Sequence, residues 1–280
     1  NYQLEKPGSP VVNISSKVMV NMDSKTWPRV GTIISDNGYL NVGLGEARLG
    51  GTQYGYLPIS TKLVLDGISG NQEDGSQYHV RLSPTLHAYI PKKFVKESPE
   101  GTHFPFSYVS QPTLESKGKY DIVSLDTRER LPFIVQEIMD PPGLQIHIYG
   151  ATSNLTWITS KLSLKNIKDI TWTQLADNNL QIDLALKEPP VWGYDAIYPN
   201  GGNGLQIRIK HKPEISKSLS NPLQGLTIAV DAGHGGSNSG ANGALGILEK
   251  ECNLAMANDL KSILESKGVK IVMTRIPDTE

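Results

Sequence analysis

The chain has 280 residues, of which 38% are hydrophobic and 20% are charged, and its formal net charge is −1. This length allows two or three domains, and the composition suits soluble globular folds with substantial cores. The near-neutral charge excludes an electrostatic footprint for nucleic acid or an anionic membrane, and no apolar run reaches the about 18 residues of a spanning helix.

The chain begins at Asn1, and no apolar segment typical of a signal peptide follows. We therefore expect that any signal peptide is absent from this chain, removed by processing or by design. Cys252 is the single cysteine, which excludes an intrachain disulfide framework.

Residues 11–96 consist of short alternating segments separated by glycine and turn residues. Such closely spaced short strands predict a small β-barrel. The predicted strands are Val18-Met-Val-Asn, Val30-Gly-Thr-Ile-Ile, Leu63-Val-Leu, Tyr78-His-Val-Arg-Leu and His87-Ala-Tyr-Ile-Pro.

The segments 55–63, 78–83 and 88–95 resemble the last strands of a bacterial SH3-like domain. In exported bacterial proteins such a module often binds cell-wall peptide or another domain, and the resemblance implies the same here. Trp27, Tyr54 and Tyr56 are candidates for an aromatic ligand platform. Packing in a small barrel core is an equally good interpretation of the three aromatic residues.

A linker with proline, glycine and charged residues occupies positions 97–102 and separates the first module from the second. Residues 103–212 then show a second all-β pattern, in which clean alternation predicts strands with one buried and one solvated face. We predict a β-sandwich. Its strands are Phe133–Glu137, Leu144–Tyr149, Ile167–Trp172, Leu180–Leu186 and Leu205–Lys210.

The order of these strands and the positions of Trp157, Trp172 and Trp192 are similar to β-sandwich targeting modules that precede cell-wall amidase domains. The similarity implies a module that localises the protein to the wall. We interpret the tryptophans as core residues in preference to a sugar-binding platform. We interpret His147 as a hydrogen-bonded residue on a strand face.

A second linker occupies residues 212–224, and after it the spacing of the hydrophobic residues changes. Leu226-Thr-Ile-Ala-Val-Asp231 predicts a buried strand, residues 249–267 show helical spacing, and Gly268 is a natural helix stop. Residues 269–273 predict the next strand. Residues 222–280 therefore predict one βαβ unit, which needs further strands and helices to bury both faces of its sheet. Within the helix, Cys252 is expected to be a small buried residue.

His234 lies in a glycine-rich turn at the end of the first of these strands, and Glu249 lies where the helix begins. Zn²⁺ binds nitrogen and oxygen ligands in tetrahedral geometry, so this histidine and carboxylate are a plausible half of a zinc site. A phosphate-binding loop or simple tight packing are the alternatives. Lys250, Asn253 and Arg275 are candidate substrate contacts, although structural roles are expected for all three.

The segment 225–280 resembles the zinc-dependent N-acetylmuramoyl-L-alanine amidases of the amidase type 3 family. The matching motifs are Val230-Asp-Ala-Gly-His-Gly-Gly236, Gly240-Ala241, Leu248-Glu-Lys250, Asn253-Leu-Ala255 and Met273-Thr-Arg275 with Asp278. The resemblance implies that His234 and Glu249 are the first two ligands of Zn²⁺. It also implies a further histidine ligand and a glutamate general base, which we expect beyond Glu280.

We therefore expect a multidomain chain: an SH3-like barrel, a β-sandwich and an incomplete α/β amidase domain. The resemblance implies a periplasmic or extracellular peptidoglycan hydrolase that cleaves the amide between N-acetylmuramic acid and L-alanine. With no catalytic residue expected before Glu280, we expect this chain by itself to be inactive. The alternative is a non-catalytic wall-binding or scaffolding protein with a degenerate amidase remnant.

Overall fold

A computed structural model describes residues 26–43, 53–69, 76–153, 164–175 and 178–276. The chain divides into two compact units, Asn1–His211 and Lys212–Glu280. The boundary falls at the start of the second predicted linker. The predicted strand at residues 18–21, Trp157 and Asp278 lie outside the described residues.

The amino-terminal half of the first unit contains a seven-stranded sheet with the strand order β3-β2-β6-β5-β4-β1-β7. Four of these strands confirm predicted strands, because the alternating pattern of residues 30–91 specifies one buried face. The strands are β1 (Arg29–Ile33), β2 (Tyr39–Asn41), β3 (Gln53–Tyr56), β4 (Lys62–Ser69), β5 (Gln77–Arg81), β6 (His87–Pro91) and β7 (Val95–Glu97). A 3₁₀ turn, Lys92–Phe94, joins β6 to β7.

Three further sheets follow in the first unit, and they contain all five strands predicted for residues 103–212. One sheet has the order β16-β17-β10-β9, another has the order β11-β12-β15-β14, and β13 pairs in parallel with β8. The strands are β8 (Ser107–Val109), β9 (Thr113–Lys117), β10 (Tyr120–Leu125), β11 (Phe133–Met139), β12 (Pro142–Tyr149), β13 (Ala151–Ser153), β14 (Ile167–Leu175), β15 (Asn179–Leu186), β16 (Tyr194–Ile197) and β17 (Leu205–Lys210). A 3₁₀ turn, Pro199–Gly201, connects the last two.

One hydrophobic core runs through the whole first unit, from Ile33 to Ile209. It is built by alternating side chains, as in β15, where Leu180, Ile182 and Leu184 are buried. Lys62 on β4 forms an ion pair with Glu129, which joins the two halves of this unit. The mainly β architecture is thus confirmed, whereas the SH3-like and β-sandwich assignments and their boundaries stay predictions.

A buried carboxylate connects the two four-stranded sheets. Asp121 on β10 has no exposed side-chain surface, and it accepts hydrogen bonds from the backbone N–H groups of Lys165, Asn166 and Ile167 at the start of β14. The Nε2 atom of His211 lies 2.9 Å from the same carboxylate. Burial by itself raises the pKa of Asp121, but these hydrogen bonds outweigh it and leave the pKa below its usual value.

The aromatic residues singled out from the sequence do not share one environment. Trp27 packs partly against the core and makes an edge-to-face contact with Tyr78, whereas Tyr56 is exposed and contacts Tyr39. Trp172 packs partly against the core, as interpreted from the sequence. Trp192 is exposed, so the same interpretation is wrong for this residue. His147 lies within hydrogen-bond distance of Gln145 and Asn179, which agrees with the interpretation as a satisfied face residue.

The second unit contains a single βαβ arrangement in the described part of the chain. β18 (Thr227–Val230) and β19 (Lys270–Met273) pair in parallel, and α1 (Glu249–Glu265) lies between them in the sequence. Its small core consists of Val230, Ala232 and Ala257, with partly buried neighbours from both strands and the helix. The predicted strand–helix–strand order is therefore confirmed.

The structure corrects the expectation for Cys252. This residue is exposed, because it projects from the side of α1 that faces away from Ala257, the buried residue of the helix. Helical periodicity identified the helix but not the side on which its one cysteine lies. Met256 and Ile263 are also exposed. Among the described helices, none is both long and apolar enough to cross a bilayer.

Candidate metal centre

The site lies at the carboxyl ends of the two parallel strands of the second unit. The chain leaves β18 at Val230, and Thr274, which follows β19, donates from its Oγ1 atom to Asp231 Oδ1 at 2.5 Å. In α/β structures the carboxyl ends of parallel strands are where ligands and catalytic groups gather. The glycine-rich loop that begins here carries His234.

His234 adopts a left-handed backbone conformation, with φ of 63°. For a residue with a Cβ atom this region costs on the order of 1–2 kcal/mol, so the surrounding contacts must hold it there. Directly after the histidine, the backbones of Gly235 and Asn238 exchange two hydrogen bonds of 3.0 and 2.8 Å, which close a tight turn. The turn presents the imidazole at the surface of the loop.

Three polar side chains bind backbone carbonyls of this loop. Lys250 Nζ donates to Gly236 O at 2.9 Å, and Asn253 Nδ2 donates to Gly233 O at 3.1 Å. The largely buried Arg275 donates to Ala232 O at 2.7 Å and to Lys250 O at 2.7 Å. The structural roles expected for Lys250, Asn253 and Arg275 agree with these contacts.

Glu249 is the first residue of α1, and a second loop segment holds it in place. Its Oε2 atom accepts a hydrogen bond of 2.8 Å from the N–H of Ala241, and its own N–H donates to Ala241 O at 3.0 Å. The pKa of Glu249 lies below its usual value, chiefly because its carboxylate accepts a hydrogen bond from the Ala241 N–H group. Burial raises the pKa, and the nearby His234 lowers it. Glu249 is thus an ionised carboxylate at neutral pH.

His234 and Glu249 come together as the sequence predicted. His234 Nε2 lies 3.2 Å from Glu249 Oε2, and both side chains are partly exposed. Two ligands of a tetrahedral zinc ion, each at its usual bond length of about 2.0–2.2 Å, lie about 3.3 Å apart. The separation of the two atoms therefore fits one edge of a zinc tetrahedron.

The contact with Asn238 sets the tautomer of the neutral His234 side chain. Its Oδ1 atom accepts from the Gly240 N–H at 3.1 Å and lies 3.2 Å from His234 Nδ1. Because an amide oxygen only accepts, Nδ1 carries the proton and Nε2 of the neutral imidazole is an acceptor. An acceptor nitrogen then faces a carboxylate oxygen, and this arrangement favours a cation, either a proton or a metal ion, between them.

Gly240 packs directly against the pair. Its φ is 67°, and a Cβ atom at this position would lie 2.6 Å from Glu249 Oε2 and 2.7 Å from His234 Cδ2. Real Cβ atoms essentially never approach this closely. Glycine at position 240 is therefore a condition for the approach of His234 to Glu249.

Within the residues that the structure describes, His234 and Glu249 are joined by no third histidine, cysteine or carboxylate ligand atom. Asn238, and the roles of Gly240 and Ala241 in orienting the two ligands, were not predicted from the sequence. A polar residue four positions after the histidine and the Gly-Ala pair are visible in the sequence, but only the folded loop shows which atoms they contact.

Comparison with known proteins gives matches to this segment. The family model described as N-acetylmuramoyl-L-alanine amidase matches residues 228–280. Curated relatives in Staphylococcus aureus, including those of strains USA300 and NCTC 8325, are 49% identical to the chain over 61 residues, and each carries the name probable cell wall amidase LytH. The alignment covers 21% of this chain and 21% of each relative, so the chain spans about a fifth of the length of the relatives it matches. These matches support an amidase type 3 family for the segment that carries His234 and Glu249.

Proposed function

We propose that this protein is a zinc-dependent peptidoglycan hydrolase that cleaves the amide bond between N-acetylmuramic acid and L-alanine. His234 and Glu249 supply two of the ligands of Zn²⁺. The similarity of residues 228–280 to an amidase family supports the reaction class, and the geometry of the two side chains supports the metal. A further histidine ligand and a glutamate general base, which the resemblance implies, complete this proposal.

The observation that carries the proposal is the 3.2 Å approach of His234 Nε2 to Glu249 Oε2. Asn238 Oδ1 lies 3.2 Å from Nδ1 of His234, and this contact orients the imidazole so that Nε2 points to the carboxylate. Such a partner for the second ring nitrogen is usual for metal-binding histidines, because it selects the tautomer and the ring orientation. The donor set of one imidazole and one carboxylate is compatible with zinc.

When bound, zinc supplies a Lewis acid for the amide carbonyl and lowers the pKa of a bound water molecule. The neighbouring residues of the chain orient and position the ligands. Asn238 holds the tautomer of His234, the Ala241 N–H holds the carboxylate of Glu249, and Arg275 holds the loop that carries the histidine. The partial exposure of both ligands leaves the site accessible to a polymeric substrate.

We further propose that the first unit binds the cell wall and that the protein acts outside the cytoplasm. The name of the Staphylococcus aureus relatives supports a wall location. More specifically, we propose that wall binding is the role of an SH3-like module at 11–96 and a β-sandwich targeting module at 103–212. Their mainly β architecture is compatible with it.

The test uses the protein expressed from its complete reading frame, incubated with purified peptidoglycan. Hydrolysis of the proposed amide leaves a new amino-terminal L-alanine on each released peptide, which mass spectrometry detects. We expect release that a chelator abolishes and that zinc restores. His234→Ala and Glu249→Ala should each remove most of the release, because each variant loses a metal ligand.

Glu265→Ala is the matched control, since it removes a carboxylate from the last turn of the same helix, α1. This variant should keep full activity. Undiminished release by the His234 and Glu249 variants would show that the site is assigned wrongly. Binding of the intact wall without any release, in protein that holds zinc, would favour the rival function of a non-catalytic wall-binding protein.

A further inference from the structure

A cluster of one carboxylate and two imidazoles lies on the seven-stranded sheet of the first unit. Asp66, His79 and His87 belong to β4, β5 and β6, which are adjacent in the sheet. One ligand atom from each residue lies within 4.8 Å of the ligand atoms of the other two. The cluster is independent of the amidase proposal, because none of its residues belongs to the second unit.

Strand pairing brings the two histidines onto one face. In the register of β5 against β6, His79 lies opposite Tyr89 and Arg81 lies opposite His87. The two histidines are therefore diagonal neighbours, within reach of each other on the same side of the sheet. Their rings stack with centroids 4.5 Å apart.

A β-bulge brings the carboxylate to the same place. The register of β4 against β5 shifts between Leu65 and Gly67, so that Asp66 is the extra residue of β4. A bulge re-aims the side chain that it carries and is common beside functional sites. Here it places Asp66 Oδ2 at 3.8 Å from His87 Nδ1, while Arg81 Nε lies 3.5 Å from the other carboxylate oxygen.

The Nδ1 atom of His87 is buried and has no hydrogen-bond partner in the described part of the chain. A buried polar atom left unpaired costs about 1–3 kcal/mol, so such an atom calls for an explanation. The distance of 3.8 Å to Asp66 is too long for a direct hydrogen bond. It is within about half an ångström of the separation of two ligands of one zinc ion, which is about 3.3 Å.

We propose that Asp66, His79 and His87 form a binding site for Zn²⁺ on the sheet of the first unit. Two imidazoles and one carboxylate are a usual set of three protein ligands for zinc, with an open fourth position. Rotation of the two rings about their soft χ2 torsions brings their nitrogens toward the carboxylate oxygen. Arg81 holds Oδ1 of Asp66 and leaves Oδ2 for the metal.

The ligand atoms favour a transition metal over a hard cation such as Mg²⁺ or Ca²⁺. Mg²⁺ and Ca²⁺ select oxygen ligands, whereas two of these three ligands are imidazole nitrogens.

Because its ligands come from three neighbouring strands, the metal links β4, β5 and β6. Zinc that binds the folded state and not the unfolded chain stabilises the first unit by mass action. The site thus has a structural role, and zinc should raise the unfolding temperature of this unit.

The test is a calorimetric titration of the 280-residue chain with ZnCl₂ after chelator treatment. The His234→Ala/Glu249→Ala double variant serves as background, so that zinc bound at the amidase site does not contribute. We expect one zinc ion per chain in this background. Adding His79→Ala or His87→Gln should weaken the binding at least about tenfold, whereas His103→Ala, at an exposed histidine of the same unit, should leave it unchanged.

A measurement on the unsubstituted chain covers the case in which a variant fails to fold. Six histidines are present, and zinc should protect His79 and His87, but not His103, from modification by diethyl pyrocarbonate. Uniform modification with and without zinc would overturn the proposal, as would a background variant that binds no zinc. Equal binding of Mg²⁺ at the same concentration would also overturn it, because that selectivity contradicts a site with two imidazole ligands.

Discussion

A Cβ atom placed on Gly240 would lie only 2.6 Å from Oε2 of Glu249. The backbone of the 240–241 segment is thereby in contact with the carboxylate, and the N–H of the next residue, Ala241, donates to the same oxygen. Glycine at position 240 thus has a physical reason in this chain. It allows the loop to close on the carboxylate that faces His234.

Gly240→Ala should weaken zinc binding at the His234–Glu249 site by at least about tenfold, because the new methyl group displaces a ligand. The measurement is competition with a chromogenic chelator, using protein from the complete reading frame. Gly246→Ala is the control: Gly246 also has a positive φ, 77°, but no atom lies within 4 Å of its Cβ position. An equal loss in both variants would show that backbone strain, and not contact with the ligands, causes the effect.

Asn238→Ala should lower zinc affinity by about 10–100-fold, the usual range for the loss of a partner that orients a metal-binding histidine. Asn238→Asp should restore most of the affinity, because a carboxylate oxygen also accepts from Nδ1–H of His234. The same competition assay measures the zinc affinity of both variants. If Asn238→Asp binds no better than Asn238→Ala, the orientation of His234 does not depend on this contact.

Arg275→Lys should destabilise the second unit by about 1–3 kcal/mol, because a lysine ammonium lacks the planar fork that binds Ala232 O and Lys250 O together. Hydrogen exchange of the amides of residues 226–276 measures the change. Lys270→Ala, on the exposed part of β19, is the control and should leave exchange nearly unchanged. Unaltered exchange in Arg275→Lys would contradict a stabilising role for the buried guanidinium.

Asp121→Asn should destabilise the first unit by about 2–4 kcal/mol at pH 7, since the amide replaces a carboxylate that accepts three backbone N–H groups. The pKa of Asp121 in the folded state lies below its usual value. The stabilisation is therefore fully present above about pH 4 and is lost as the pH falls through the folded-state pKa.

Urea unfolding of the unsubstituted chain and of the Asp121→Asn variant between about pH 7 and pH 2 checks this dependence. The difference in unfolding free energy between the two proteins should shrink only in the acid range. A difference that stays constant over the whole range would contradict the role of the ionised carboxylate.

Limited proteolysis should remove the second unit before the first. The core of the second unit comprises Val230, Ala232 and Ala257 in the residues described, which is little buried apolar surface to oppose local unfolding. Trypsin should cut first within residues 212–224, and the products are identified by mass spectrometry. Resistance of residues 226–276 for as long as the first unit would contradict this expectation.

The sequence alone determined most of the secondary structure, because alternation with a period of two and helical spacing are properties of neighbouring residues. It predicted β6 with its bounds, His87–Pro91, and it placed the start of the helix at Glu249. It also paired His234 with Glu249, since the end of a strand and the start of the following helix meet at one edge of a parallel sheet. These are local signals or follow directly from one topological rule.

Only the tertiary structure decided which atoms meet. The contact of Asn238 with Nδ1 of His234 depends on a left-handed residue and a tight turn, and neither is encoded by residue type alone. Asp66, His79 and His87 come together through the pairing of three strands and a bulge at Asp66. Pairing register and bulges arise from contacts between segments distant in the chain, so a periodic pattern within one strand does not contain them.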